Sequence, residues 1–112
     1  MKITYEGIGY LGVTMPMGNC VQGQVCTINS AGQAVVCADG GVFFGVVDHV
    51  ENGMAAVQME GFVKLSYSGT APNHGYVGLV SDGNGGVKVD ASADKRLVVA
   101  VDLVSKTVVF KL

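Results

Sequence analysis

Apolar and polar positions alternate along most of this chain with a period of two, and glycine-containing turns break the alternation at short intervals. Val25 and Thr27 alternate with Cys26 and Ile28, Ala31-Gly32 interrupts, and residues 34–38 resume the pattern until Asp39-Gly40-Gly41 interrupts again. Residues 42–47 are a continuous apolar run, the pattern of a buried strand. The pair Asn52-Gly53 tolerates positive φ at both positions of a tight hairpin. Beyond it, Ala55, Val57 and Met59 point one way while Gln58 and Glu60 point the other, as in a strand with one wet face. Gly61 is expected to bend or bulge one long strand, because Val63, Leu65 and Tyr67 continue the alternation.

The C-terminal part repeats this grammar after a linker at residues 68–75. Strands are expected at residues 76–81 and 86–90 around the turn Asp82-Gly83-Asn84-Gly85, then at residues 97–103, then at 107–112, where Val108, Phe110 and Leu112 share a face. Gly23 falls on Gly75, Val25 on Val77 and Ile28 on Val80; with small insertions, Gly45-Val46 falls on Ala100-Val101 and Val57 on Phe110. Two copies are too few for a solenoid, which needs about three units to bury its faces. The expected fold is therefore all-β: a small β-barrel or sandwich built from two similar β-meanders. Turn signals at about 8–12 residue spacing imply roughly 8 to 10 strands.

Residues 1–22 differ in texture, with Gly7, Gly9, Gly12 and Gly18, three methionines, Pro16, and only Lys2 and Glu6 charged. No period persists beyond Ile3 and Tyr5, which alternate with Lys2 and Thr4. The expectation is an extended N-terminal arm, residues 1–22, leading into a single β domain, residues 23–112. Its candidate contacts are Lys2, Ile3, Thr4, Tyr5, Ile8 and Tyr10, suited to adding a strand to the exposed sheet edge of a partner. The other reading is a first strand that completes its own barrel.

Composition narrows the function. Charged residues are 14% of the chain, against about 25% in ordinary globular proteins, while 49% of residues are apolar. Some apolar surface is therefore expected at a subunit or partner interface. No apolar run approaches the roughly 18 residues of a spanning helix. A net charge of −2 with scattered Lys and Arg offers no basic stripe for nucleic acid, and Lys95-Arg96 beside Asp94 reads as a solvated turn. Cys20, Cys26 and Cys37 match no C-x-x-C spacing, and no export signal follows Met1, so synthesis in a reducing compartment is expected. The cysteines read as buried small hydrophobes, although Cys26 and Cys37 lie on two arms of one hairpin.

Candidate chemistry is thin. Gly7-Ile8-Gly9-Tyr10-Leu11-Gly12 spells G-x-G-x-x-G, but Pro16 and Gly18 spoil the helix a dinucleotide site requires, and no acidic residue lies among residues 27–33. Asp82-Gly83-Asn84 opens like a calcium loop, yet Gly86 and Ala93 occupy positions that need oxygen ligands. His49 and His74 have no partners at ligand spacing, and no nucleophile elbow exists. The expectation is no catalysis, no metal and no cofactor.

The run Gly23-x-Val25, Gly32, Gly45-Val46-Val47, Gly53-x-x-x-Val57-x-x-x-Gly61, with its weaker second round from Gly75-x-Val77 to Ala100-Val101 and Val108, resembles the head decoration (capsid cement) proteins of tailed phages. The resemblance covers residues 23–112. It implies an all-β structural protein on the outer capsid surface of a virion, made in the bacterial cytoplasm. It also implies a homo-oligomer, commonly a trimer, that bridges subunits of the major capsid protein. The three cysteines and the Met-rich arm have no counterpart in that pattern. A reading from another class is a small β-barrel accessory module that binds a ligand or peptide.

Overall fold

The computed structural model describes residues 11–112, which form ten strands and no helix. In chain order these are β1 (Leu11–Pro16), β2 (Val25–Ile28), β3 (Ala34–Val36), β4 (Gly45–Glu51), β5 (Met54–Glu60), β6 (Phe62–Ser68), β7 (Gly75–Ser81), β8 (Val87–Val89), β9 (Lys95–Asp102) and β10 (Thr107–Lys111). The first five make one sheet in the order β1-β5-β4-β2-β3, and the second five close into a barrel, β10-β6-β8-β7-β9.

Read from β6, the barrel runs β6-β10-β9-β7-β8, which is the first sheet with every strand number advanced by five. The strand directions match as well: each hydrogen-bonded pair in the first sheet is antiparallel, as is its counterpart in the second. The barrel closes through a parallel pair, Tyr67 with Val87 and Ser68 with Lys88. In the first unit a single parallel bridge, Met17 with Ala34, stands at the same place. The chain thus uses one five-stranded topology twice in tandem. The repeat legible in the sequence was its β2, β4 and β5 against β7, β9 and β10.

Turn chemistry sets the registers. Asn52 (φ 53°) and Gly53 (φ 75°) form the two-residue turn that joins β4 to β5. Asn29 closes the β2–β3 turn by accepting the backbone N–H groups of Ala31 and Gln33 on its side-chain oxygen. Asp82 does the same between β7 and β8, accepting from Asn84 and Gly86, while its other oxygen takes the Ser68 hydroxyl at 2.6 Å.

Three expectations need correction. Leu11–Pro16, placed in the arm, is an edge strand of the protein's own first sheet, paired along its length with Met54 to Glu60. An edge strand needs buried side chains on only one face, and here only Met15 is buried, so its sequence carries no alternation. Gly61 (φ 98°) does not bulge one long strand. It turns the chain out of the first unit, and β6 pairs with β10 and β8 instead of continuing β5. The apolar run at residues 42–47 is a strand only from Gly45: Val42 is 74% exposed, and Phe43 leaves the first unit altogether.

Two cores result. Met15, Cys20, Cys26, Ala34, Val47, Ala55 and Val57 fill the first unit with small side chains. The second core contains barrel residues such as Leu65, Val98, Val108 and Phe110, joined by Val25, Cys37, Phe43 and Val46 from the first unit. Phe43 is 1% exposed and meets Phe110 edge to face, with ring centroids 6.1 Å apart and planes at 67°. Ser81, fully buried, ties the units by donating to the Cys37 carbonyl at 3.0 Å, and its backbone exchanges bonds with Gly40 and Gly41. Phe43→Ala is expected to cost about 3–5 kcal/mol, the range for truncating a buried aromatic. Urea unfolding of the purified variant measures it; a loss below about 1 kcal/mol would show that Phe43 does not join the units.

Candidate functional site

The polar side chains that could do chemistry are dispersed. Among the described residues, no group of three or more His, Cys, Asp or Glu is arranged to hold a metal ion. Asp82, the calcium-loop candidate, has both carboxylate oxygens engaged in its own turn and with Ser68. His49 faces Glu51 at 3.5 Å on the open surface of β4, and His74 lies in the connection before β7. The arm candidates Lys2, Ile3, Thr4, Tyr5, Ile8 and Tyr10 lie outside the described residues, as does most of the G-x-G-x-x-G stretch; its last glycine, Gly12, sits in β1.

The three cysteines are free and buried. Burial, reinforced by the neighbouring Cys20 and Cys37 thiols, pushes Cys26 up to about 12. Burial also raises Cys37. Cys26 and Cys37, held protonated, are poor nucleophiles and poor ligands, and all three buried cysteines pack in the two cores. The unfolded Cys26 thiol ionises near the usual 9.0 and the folded one does not, so stability is intact below pH 9 and falls as pH climbs from there towards 12. The expected slope from this group is at most about 1.4 kcal/mol per pH unit. Urea midpoints measured from pH 8 to pH 11 should fall less steeply for Cys26→Ala than for the wild type. In the native state at neutral pH, an aromatic disulfide reagent should leave all three thiols unreacted.

What the surface does offer is apolar side chains in places where turns and edges are ordinarily polar. The β9–β10 turn exposes Leu103 at 69% and Val104 at 96%. Asp102 fixes this turn by accepting the backbone N–H groups of Val104 and Ser105, and these bonds hold its carboxyl below the usual range. Lys106 completes it with φ 54°. Two aliphatic side chains thus project from a braced turn. Sequence reasoning took Leu103 as the end of an apolar strand; the signal that could have placed it outside is Asp102, a turn-forming residue just before it.

A second surface lies at the ends of β7, β9 and β10, where Tyr76, Lys95, Arg96, Leu97, Lys111 and Leu112 line an open cavity of about 280 Å³. Arg96 is the inner wall. Its guanidinium stacks 4.5 Å over the Phe43 ring and donates to the Phe43 carbonyl at 3.3 Å. Burial lowers its pKa from the usual arginine value, against the opposing pull of Asp94, and its Nε is buried without a hydrogen-bond partner. Lys95-Arg96, read from sequence as a solvated turn, is instead the start of β9, with Lys95 exposed and Arg96 half-buried.

Charge is partitioned between the units. From Leu11 to Glu60 the chain carries Asp39, Asp48, Glu51 and Glu60 and no Lys or Arg. From Gly61 onward Lys64, Lys88, Lys95, Arg96, Lys106 and Lys111 outnumber Asp82, Asp90, Asp94 and Asp102. The overall charge of −2 conceals an acidic first unit and a basic second one. Lys88 and Asp39 bridge them at 2.6 Å, on the surface, where such a pair contributes little to stability. Compared with known protein families, curated proteins and solved structures, the chain matches none of them.

Proposed function

We propose that this protein is a structural virion component that binds the outer surface of a phage or prophage capsid and stabilises it by bridging major capsid subunits. The observation that carries this reading is the braced β9–β10 turn with Leu103 and Val104 held out in water. Leaving two aliphatic side chains exposed forgoes about 1.5–3 kcal/mol each that burial would return, and a partner surface is where they recover it. The Gly and Val spacing that resembles capsid cement proteins supports the same reading. So does a fold whose polar side chains close turns instead of converging.

In this reading the chain catalyses nothing and requires no metal or cofactor. It acts by holding surfaces together, with the major capsid protein as its partner and the capsid exterior as its location. Residues 1–10, including Lys2, Ile3, Thr4, Tyr5, Ile8 and Tyr10, supply the arm. The arm stops at Leu11, because β1 belongs to the first sheet. The ligand-binding alternative is less favoured, since the cavity at the ends of β7, β9 and β10 is open and rimmed by exposed lysines.

Expanded capsids lacking the protein provide the test. Deletion of residues 2–10 is expected to leave folding intact and weaken shell binding, whereas deletion of residues 2–16 removes β1 and is expected to unfold the first unit. A double substitution, Leu103→Asp with Val104→Asp, should leave the circular dichroism spectrum unchanged and abolish co-sedimentation with shells. If the folded double variant binds shells as the wild type does, the turn is not the anchor. If the wild type itself does not bind any expanded shell, the reading fails.

A further inference from the structure

We propose that the recess at the ends of β7, β9 and β10 is a docking site for an acidic peptide segment of a partner protein, one that carries carboxylates on either side of an apolar side chain. It is a contact separate from the β9–β10 turn, and it stands whether or not the partner is a capsid subunit.

Strand register places four of the lining side chains on one face. Tyr76 pairs with Leu97, and the pairing of Phe110 with Val98 sets Lys111 beside Leu97 on the other side. Lys95, two residues before Leu97, points the same way. Leu97 is therefore an aliphatic floor with an aromatic ring on one side, an ammonium group on the other and a second ammonium along its own strand. Tyr76 is 72% exposed, far more than a tyrosine needs to keep its hydroxyl in water. Half-buried Leu112 completes the apolar part of the lining.

The charges decide what fits. Among the described residues, neither Lys95 nor Lys111 has an ion-pair partner, whereas Lys88 holds Asp39. Arg96 is already engaged: stacked on Phe43 and bonded to its carbonyl, it adds positive potential from behind the wall, part of which Asp94 offsets. No carboxylate or amide side chain lines the recess. Its polar side chains donate hydrogen bonds and, the tyrosine hydroxyl apart, accept none. A saccharide, whose hydroxyls need acceptors as well as donors, is poorly matched. A nucleic acid would carry its phosphates past a first unit that holds Asp39, Asp48, Glu51 and Glu60 and no cation from Leu11 to Glu60, and is repelled. Carboxylates flanking an apolar side chain satisfy both lysines and cover Leu97 and Tyr76 at once, and the open mouth suits a segment laid across it.

NMR titration of the purified, isotope-labelled protein with two capped peptides, Glu-Ser-Phe-Ser-Glu and its neutral counterpart Gln-Ser-Phe-Ser-Gln, tests the proposal. The acidic peptide is expected to shift the backbone amide signals of Tyr76, Lys95, Leu97 and Lys111 saturably, with a Kd on the order of 1 mM that rises with added salt. The neutral peptide should bind roughly tenfold more weakly. Lys95→Glu with Lys111→Glu should abolish the shifts, and Tyr76→Ser should weaken them. All three side chains are exposed, and circular dichroism verifies that both variants keep the wild-type fold. The proposal is overturned if the acidic peptide shifts no signal at the recess, if the neutral peptide binds as tightly, or if either folded variant binds as the wild type does. A short oligothymidylate that binds the recess more tightly than the peptide overturns it as well. So do shifts of the same signals that grow with protein concentration in the absence of peptide, which would give the recess to a second copy.

Discussion

Phe43 determines whether this chain is one body or two. It belongs by sequence to the connection between β3 and β4 of the first unit, yet its ring is packed against Phe110 inside the barrel of the second and capped by Arg96. A five-stranded unit of some fifty residues buries a small share of its surface and is marginal by itself. The tandem arrangement overcomes this by letting one unit donate an aromatic plug to the other. Val25, Cys37 and Val46 follow Phe43 into the same core, and the backbone bonds of Ser81 with Gly40 and Gly41 hold the connection in place. The half-buried arginine, with an Nε left unpartnered, is the cost of closing that plug.

The tandem arrangement also distributes tasks. The first unit is acidic, has a core of small side chains and is drawn together at its seam by one parallel bridge. The second is basic, fully closed, and carries both the projecting apolar turn and the open cavity. The two units thus share a strand order and differ in core, charge and surface.

Much of this was legible in the sequence, and the reasons for the gaps are physical. Asn52-Gly53 and Asp82-Gly83-Asn84-Gly85 announce their hairpins because few residues accept positive φ. The pairing of β2, β4 and β5 with β7, β9 and β10 could be read because those strands keep matching Gly and Val positions. The equivalence of β1 and β6 could not: β1 is an exposed edge with one buried residue, β6 a barrel strand with alternating burial, and the two share no pattern. Phe43 was hidden inside an apolar run, where periodicity cannot separate a strand from a plug. The partition of charge was lost in the net sum. The cysteines, read as small hydrophobes, are buried as that reading required.

The register of β1 on β5 bears on mechanics. The six residues from Leu11 to Pro16 lie antiparallel to β5, and the chain before Leu11 leaves from the end that pairs with Glu60. Tension transmitted along residues 1–10 in the direction of that strand loads its hydrogen bonds together, in shear, whereas tension across the sheet opens them one after another. The same six pairs therefore make a strong attachment in one direction and a weak one in the other, and the angle at which the chain is pulled decides which is met.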